Sequence, residues 1–302
     1  MPQTCRYILW RGCPFAETFE NSLTLLAGIA NMYIVAVVSI LNRQRQTVLT
    51  STFVHAQGIG YATERQIWEL GAVTWSRFLE IHPEIRLSER KKALLLPCIE
   101  ESILRLAQRD YRFFSRRLRK SDHWRAVSEF GNRLAYLDIE TTGCGWDDQI
   151  TVIGVYDGEE MHTFVWGQNL LSFPEFISQF EVLVTFAGST FDLPFIKKHF
   201  PGLELDQLHV DLMYMLRGLE LRGGLKNIER QLGICRRTEV EGMTGFDAVR
   251  LWQEYRRGST EALELLLTYN KEDVMNMSYL LEYGCKLMRD GLGLPAADEN
   301  QS

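Results

Sequence analysis

Asp138 and Glu140 stand two residues apart in LAYLDIETTG (134–143), within an otherwise apolar run. Alternate side chains of an extended strand share a face, so both carboxylates point the same way. Two like charges side by side need either solvent or something positive to hold them. Two more acids sit in comparable settings. Asp192 follows the buried-looking stretch VTFAGSTFD (184–192), and Asp273 lies in LLLTYNKEDVMNM (265–277), four residues after Tyr269. On a continuous helix Tyr269 and Asp273 share a face. If Asn270 instead caps a new helix, Asp273 falls at its third position, where capping is natural. Four carboxylates brought together would repel one another unless cations were present, and two divalent ions about 4 Å apart would neutralise them.

The elements that must position these acids are legible in outline. Leu134–Asp138 reads as a strand, followed by a second over Gln149–Tyr156 and a third over Met161–Trp166, with Asp157-Gly158 as the hairpin signal. EVLVTFAG (181–188) reads as a buried fourth strand after a helix around Phe173–Phe180. Asp192-Leu-Pro-Phe opens another helix, His209–Leu212 is a short fifth strand, and helices dominate from Leu225 onward. Strands first in antiparallel succession and then separated by helices predict an α/β fold, a mixed five-stranded sheet with flanking helices. Residues 49 to about 125 read as helices, so a helical region precedes the sheet.

Composition narrows the partners. The 302 residues are 46% hydrophobic and 24% charged, an ordinary globular balance. The net charge of −6 argues against simple coating of nucleic acid, but the distribution is uneven. Residues 1–130 hold 18 Lys+Arg against 12 Asp+Glu, and the remainder holds 15 against 27. A basic arm beside an acidic, metal-binding domain would suit a polyanionic substrate, although such asymmetry also arises by chance. Within the arm, Arg109, Arg112, Arg116, Arg117, Arg119 and Lys120 interleave with Tyr111, Phe113 and Phe114. Such a stretch fits a single-stranded nucleic-acid groove, or equally a solvated helix face whose rings pack inward. The Gly58-Ile-Gly60 turn before a helix carries the helix-hairpin-helix signature, which presents backbone N–H groups to phosphate, or serves only as a turn. The six cysteines show no C-x-x-C spacing, which excludes a zinc site or disulfide framework of that kind and points to a reducing, cytoplasmic setting.

Ser22–Leu41 is 20 residues without a charge, followed by Arg43 and Arg45. Three readings stand: a start-site artefact with the natural beginning near Val48, a membrane anchor, or a buried helix. A membrane partner is the less favoured expectation.

LDIETTG, FAGSTFD and YNKED resemble motifs one, two and three of the DEDD exonucleases, the DnaQ-like branch of the ribonuclease H-like fold. The Tyr-x-x-x-Asp spacing is that of the tyrosine-type subclass. GGLKNIERQLGICRR (223–237) with YNKEDVMNMSYLLEYG (269–284) is similar to the YprB-like ribonuclease H-like family, whose opening TSTFVHAQGIGYATERQIWELGAVTWSRFL also resembles. The similarity spans roughly residues 49–288 and implies a 3′–5′ exonuclease releasing nucleoside 5′-monophosphates. By that resemblance Asp138, Glu140 and Asp273 hold one Mg²⁺ or Mn²⁺, Asp138 and Asp192 a second, and Tyr269 orients the attacking water and takes up its proton. Thr141, Thr142 and Phe191 are candidate substrate contacts; for the threonines, turn formation is an equal alternative. Lys226 either reaches a phosphate or solvates a helix start, and Asp211 reads as structural. One departure stands out: the family usually carries Asn where this chain has Ala187, which puts loop order or substrate contact near Asp192 in doubt. The rival reading is a non-catalytic nucleic-acid-binding module with a degenerate nuclease site. The expected organisation is an N-terminal extension (1–47), a helical arm (48–130), the exonuclease domain (131–288) and a tail (289–302). DNA versus RNA is left open, because no motif reports on a 2′-OH.

Overall fold

A computed structural model describes residues 47–145 and 147–294. The apolar segment 22–41 therefore lies outside the described residues. Among those described, no helix is long and apolar enough to cross a membrane.

Five strands, β1 (Leu134–Thr141), β2 (Ile150–Tyr156), β3 (Met161–Val165), β4 (Val182–Thr185) and β5 (Leu208–Asp211), form one sheet in the order β3-β2-β1-β4-β5. The first three strands run antiparallel, and β4 and β5 continue the sheet parallel to β1. Connection length explains the switch. The β2–β3 hairpin closes over Asp157–Glu160, where the Asp157 carboxylate accepts the Glu159 and Glu160 amides and Gly158 takes φ +101°. The parallel pairs instead need helical crossovers. These are α6 (Phe173–Ile177) before β4 and α7 (Asp192–His199) before β5. After β5 come α8 (Leu212–Gly218), α9 (Leu225–Gln231), α10 (Gly245–Arg256) and the 33-residue α11 (Thr260–Leu292).

Each face of the sheet buries its own core. Ala135, Leu137 and Ile139 of β1 join Ile153, Phe164, Phe173, Ile177 and Ile196 on the side of α6 and α7. Val152 and Val165 meet Leu251, Trp252, Leu266 and Tyr269 on the side of α10 and α11. β1 is thus the central strand, buried on both faces, and its carboxylates point into the second layer.

The helical region comprises α1 (Tyr61–Glu69), α2 (Trp75–Ile81), α3 (Glu89–Ala107), α4 (Tyr111–Arg117) and the short α5 (Val127–Phe130). Phe53, Trp75, Phe78, Phe114 and Phe130 are fully buried within it. A buried ionic cluster pins its start: Arg125 bridges Glu64 at 2.9 Å and Asp122 at 3.1 Å, and Glu64 also accepts the Phe53 amide at 2.6 Å.

This region also covers the sheet's open edge, where unpaired strand amides would otherwise invite aggregation. His123 Nδ1 accepts the His209 amide of β5, while its Nε2 lies 3.1 Å from the Ser115 carbonyl. Only the neutral Nε2–H tautomer satisfies both, and burial lowers the His123 pKa accordingly. Part of the charge asymmetry is spent on this contact. Arg109 pairs with Glu181 at 2.7 Å and Arg112 with Asp206 at 2.6 Å, joining basic helices to acidic loops of the sheet.

Candidate active site

Asp138 and Glu140 face α11, whereas their neighbours Leu137 and Ile139 enter the opposite core. α11 runs unbroken through residues 260–292, so Asn270 caps no new helix and Tyr269 and Asp273 lie one turn apart on one face. The capping alternative is thereby replaced. Asn270, fully buried, donates its amide Nδ2 to Asp138 at 2.9 Å and to Glu140 at 3.5 Å. A neutral amide is therefore the direct link between the paired carboxylates. Oxygens of Asp138, Glu140 and Asp273 all lie within 4.8 Å of one another.

Gly154 of β2 makes this arrangement sterically possible. It pairs with Asp138 in the sheet, and a Cβ there would stand 1.9 Å from Asn270 Oδ1. Gly154→Ala is therefore expected to push Asn270 and α11 away, at a cost of about 1–3 kcal/mol. The check is urea unfolding beside divalent-ion affinity. A variant as stable as the parent, with unchanged affinity, would show that α11 does not need this approach.

Asp192 opens α7 and accepts the Ile139 amide of β1 at 3.1 Å, which ties it to the strand that carries Asp138. The preceding loop is held by Asp211, whose carboxylate accepts the amides of Ala187 (2.9 Å), Ser189 (3.0 Å) and Met213 (3.1 Å). Ala187 adopts φ +63°, a left-handed conformation that costs a Cβ-bearing residue roughly 1–2 kcal/mol and that Asn tolerates better. The Asn-to-Ala departure thus bears on backbone strain, while Asp211 supplies the order. Ala187→Gly is expected to raise stability by about 0.5–1 kcal/mol, read as a higher urea midpoint.

Three charged residues complete the site. Arg236, on the loop between α9 and α10, contacts Asp273 at 2.5 Å and Glu229 at 2.6 Å, and Asn276 donates to Glu229 at 3.1 Å. Burial opposes charge on Arg236, but the two carboxylates outweigh it and raise its pKa. Lys226 donates to the Tyr269 hydroxyl and lies 4.2 Å from that ring's centre. Burial lowers the Lys226 pKa, and Asp273 partly offsets this. Burial first, then Asp273, push the Tyr269 phenol far above its ordinary value. In the metal-free chain the Tyr269 phenol is therefore neutral, and its oxygen accepts from Lys226.

Burial raises all four acids, Asp192 to about 7; neighbouring carboxylates add to this, and at Asp273 Arg236 and Lys226 oppose it. Hard oxygen donors gathered at this cost are what a divalent ion fits. Without metal, the folded chain holds protons that the unfolded chain, with carboxylate pKa values near 4, has already lost, so stability falls as pH rises through the folded values. His55, His123 and His209, lowered mainly by burial, act in the opposite sense below pH ~6.5. Above that pH, the melting temperature in EDTA is expected to drop steadily towards pH ~8.5, and Mn²⁺ to abolish the drop. A flat EDTA profile would contradict the burial of these charges.

Among the other expected contacts, the Thr141 hydroxyl is engaged with the Gly143 carbonyl, and Thr142 links Asp148 to the Gln149 amide. Both hydroxyls hold the turn. Phe191 is half-buried with its ring 4.8 Å from Phe195. In the arm, Tyr111 and Phe114 are buried and Phe113 half-buried, so the rings pack inward. Arg112 is taken by Asp206, Arg117 by Glu101 and the Phe113 ring, and Arg119 lies over Tyr61. Arg116 and Lys120 are exposed. Gly58 takes φ +81° and Gly60 precedes α1. Asn270, Gly154, Glu229 and Arg236 were missed as site residues. A glycine inside an apolar strand was the one usable signal, since it marks a close approach.

The mixed five-stranded sheet has an RNase H-like fold and carries the carboxylate cluster at its central strand. Residues 135–284 match a family model described as RNase_H superfamily. Among solved structures, the chain is similar to a family B DNA polymerase from the hyperthermophilic archaeon Pyrobaculum calidifontis, at 16% identity and a TM-score of 0.40. That match covers 51% of this chain and 24% of the polymerase. No curated protein matches the chain significantly.

Proposed function

We propose that the chain is a metal-dependent 3′–5′ exonuclease of single-stranded DNA or RNA. The observation that carries this reading is the convergence of Asp138, Glu140 and Asp273 within 4.8 Å, with Asp192 bound to the same strand and Tyr269 one turn from Asp273. Asp138, Glu140 and Asp273 would hold one divalent ion, and Asp138 with Asp192 a second, Mg²⁺ or Mn²⁺. Such ions supply Lewis-acid stabilisation of charge on phosphorus and make bound water more acidic.

The remaining work falls to protein groups. Asn270 keeps Asp138 and Glu140 side by side, and Arg236 holds Asp273 in place. Because Lys226 occupies a lone pair of the Tyr269 oxygen, the phenolic proton is free to orient an attacking water or a phosphate oxygen. Lys226 also places a positive charge where negative charge develops in phosphoryl transfer. Asp138, Lys226, Tyr269 and Asp273 line an open cavity of about 480 Å³.

The test uses 5′-labelled single-stranded and 3′-recessed oligonucleotides, as DNA and as RNA, with Mn²⁺ or EDTA. A metal-dependent ladder shortening from the 3′ end is the expected result. Binding without cleavage on every substrate would replace this reading with the binding-module one.

A further inference from the structure

Phe246 is 87% exposed, an unusual position for a large apolar ring. It occupies the second position of α10, directly after Thr244 and Gly245, which line the cavity containing Asp138, Tyr269 and Asp273. A second cavity of about 590 Å³, with Ile234, Cys235 and Met243 in its wall, shares Lys226, Arg230 and Thr244 with the first. Arg230 therefore stands at the junction. Its Nε donates to the Lys226 carbonyl at 3.3 Å, and among the described residues its guanidinium makes no ion pair. Lys226, Arg236 and the carboxylates already have partners, whereas Arg230 and Phe246 present charge and ring to solvent.

The mouth of the catalytic cavity is also bare. Gly224 and Gly245 both line it, and a Cβ at either would meet nothing within 4 Å. Neither adopts a positive φ. Gly224 is the N-cap of α9, where glycine is favoured, but at Gly245 the fold gives no packing or dihedral reason for glycine, and close passage of a ligand backbone is a physical one.

We infer that Phe246 and Arg230 form a strand-guiding ridge for the single-stranded substrate. The ring stacks on a base upstream of the 3′-terminal nucleotide, and the guanidinium takes an adjacent phosphate. This rests on the exonuclease reading, because it places the 3′ end in the catalytic cavity. A charge in the cavity wall and an exposed ring one residue beyond its lining are the two kinds of group that sequence-tolerant binding of single strands requires. It also moves the expected nucleic-acid contact from the helical arm, whose Tyr111 and Phe114 rings are buried, to the loop and helix beside the carboxylates.

The experiment measures anisotropy of a fluorescein-labelled 12-mer on Asp138→Ala protein, which binds without cutting. Phe246→Ala is expected to weaken binding about 5- to 100-fold at any salt, with melting temperature unchanged because the ring packs on little. Arg230→Gln should weaken binding and reduce the salt slope by about one. Phe246→Trp should restore affinity, with the introduced indole quenched by the oligonucleotide. The arm variant Arg119→Gln/Lys120→Gln should bind within two-fold of the parent. Loss of affinity in the arm variant, with Phe246→Ala unaffected, would overturn the ridge.

Turnover of thymidine 5′-p-nitrophenyl phosphate by the natural protein separates the two readings. Hydrolysis of that small ester with no Phe246-dependent binding would sink the ridge and leave phosphodiester chemistry standing. Phe246-dependent binding with no hydrolysis under any metal would keep the ridge and remove the nuclease.

Discussion

Asp138→Asn is expected to lower hydrolysis by roughly 10³-fold or more, about 4 kcal/mol of transition-state stabilisation, while making the metal-free protein more stable. The two effects share one cause. Asp138 is half-buried beside Asp192, Glu140 and Asp273, and each neighbour disfavours its charge. The amide keeps the shape and can still accept from Asn270, but it removes a repelling charge and an anionic metal ligand together. Stabilisation of about 0.5–2 kcal/mol at pH 8 is expected, shrinking as pH falls and the parent takes up protons. The measurements are melting in EDTA at several pH values and cleavage of a labelled oligonucleotide in Mn²⁺. Unchanged activity would remove Asp138 from the chemistry. Lower stability at high pH would mean that its charge is compensated within the protein.

Arg236→Met has the largest expected cost in stability. The guanidinium is the only cation bonded to Glu229 among the described residues, and it also meets Asp273. Its removal strands a buried carboxylate, at a cost of about 3–5 kcal/mol. Replacing both partners, as Glu229→Leu/Arg236→Met, should recover most of that loss, since paired charges in a core hold little net advantage over apolar groups of similar size. Urea unfolding of the single and double variants measures both. A single variant within 1 kcal/mol of the parent would show that water reaches Glu229. Divalent-ion affinity should fall in the single variant as well, because Asp273 loses the contact that orients it.

The sheet was readable because its signals are local. Alternation over Gln149–Tyr156, Asp157-Gly158 at the turn and the apolar run before Asp192 each predict one element, and the observed strands lie within a few residues of those bounds. The acids were readable for a related reason: a carboxylate in a strand or helix that should be buried contradicts its own surroundings. The helical arm was readable as helices but not in its role. Whether Phe114 turns outward to bases or inward to a core depends on Trp75 and Phe130, outside its own helix.

What the sequence by itself determined was therefore the succession of strands and helices and the four acids spaced along them, since period and composition act over a few residues. What only the tertiary structure decided was how those acids are held. Asn270 reaches β1 because Gly154 lacks a side chain, and Arg236 meets Asp273 because the loop after α9 folds back onto α11. Each contact joins segments far apart in the chain, and burial and charge coupling exist only once those segments have packed.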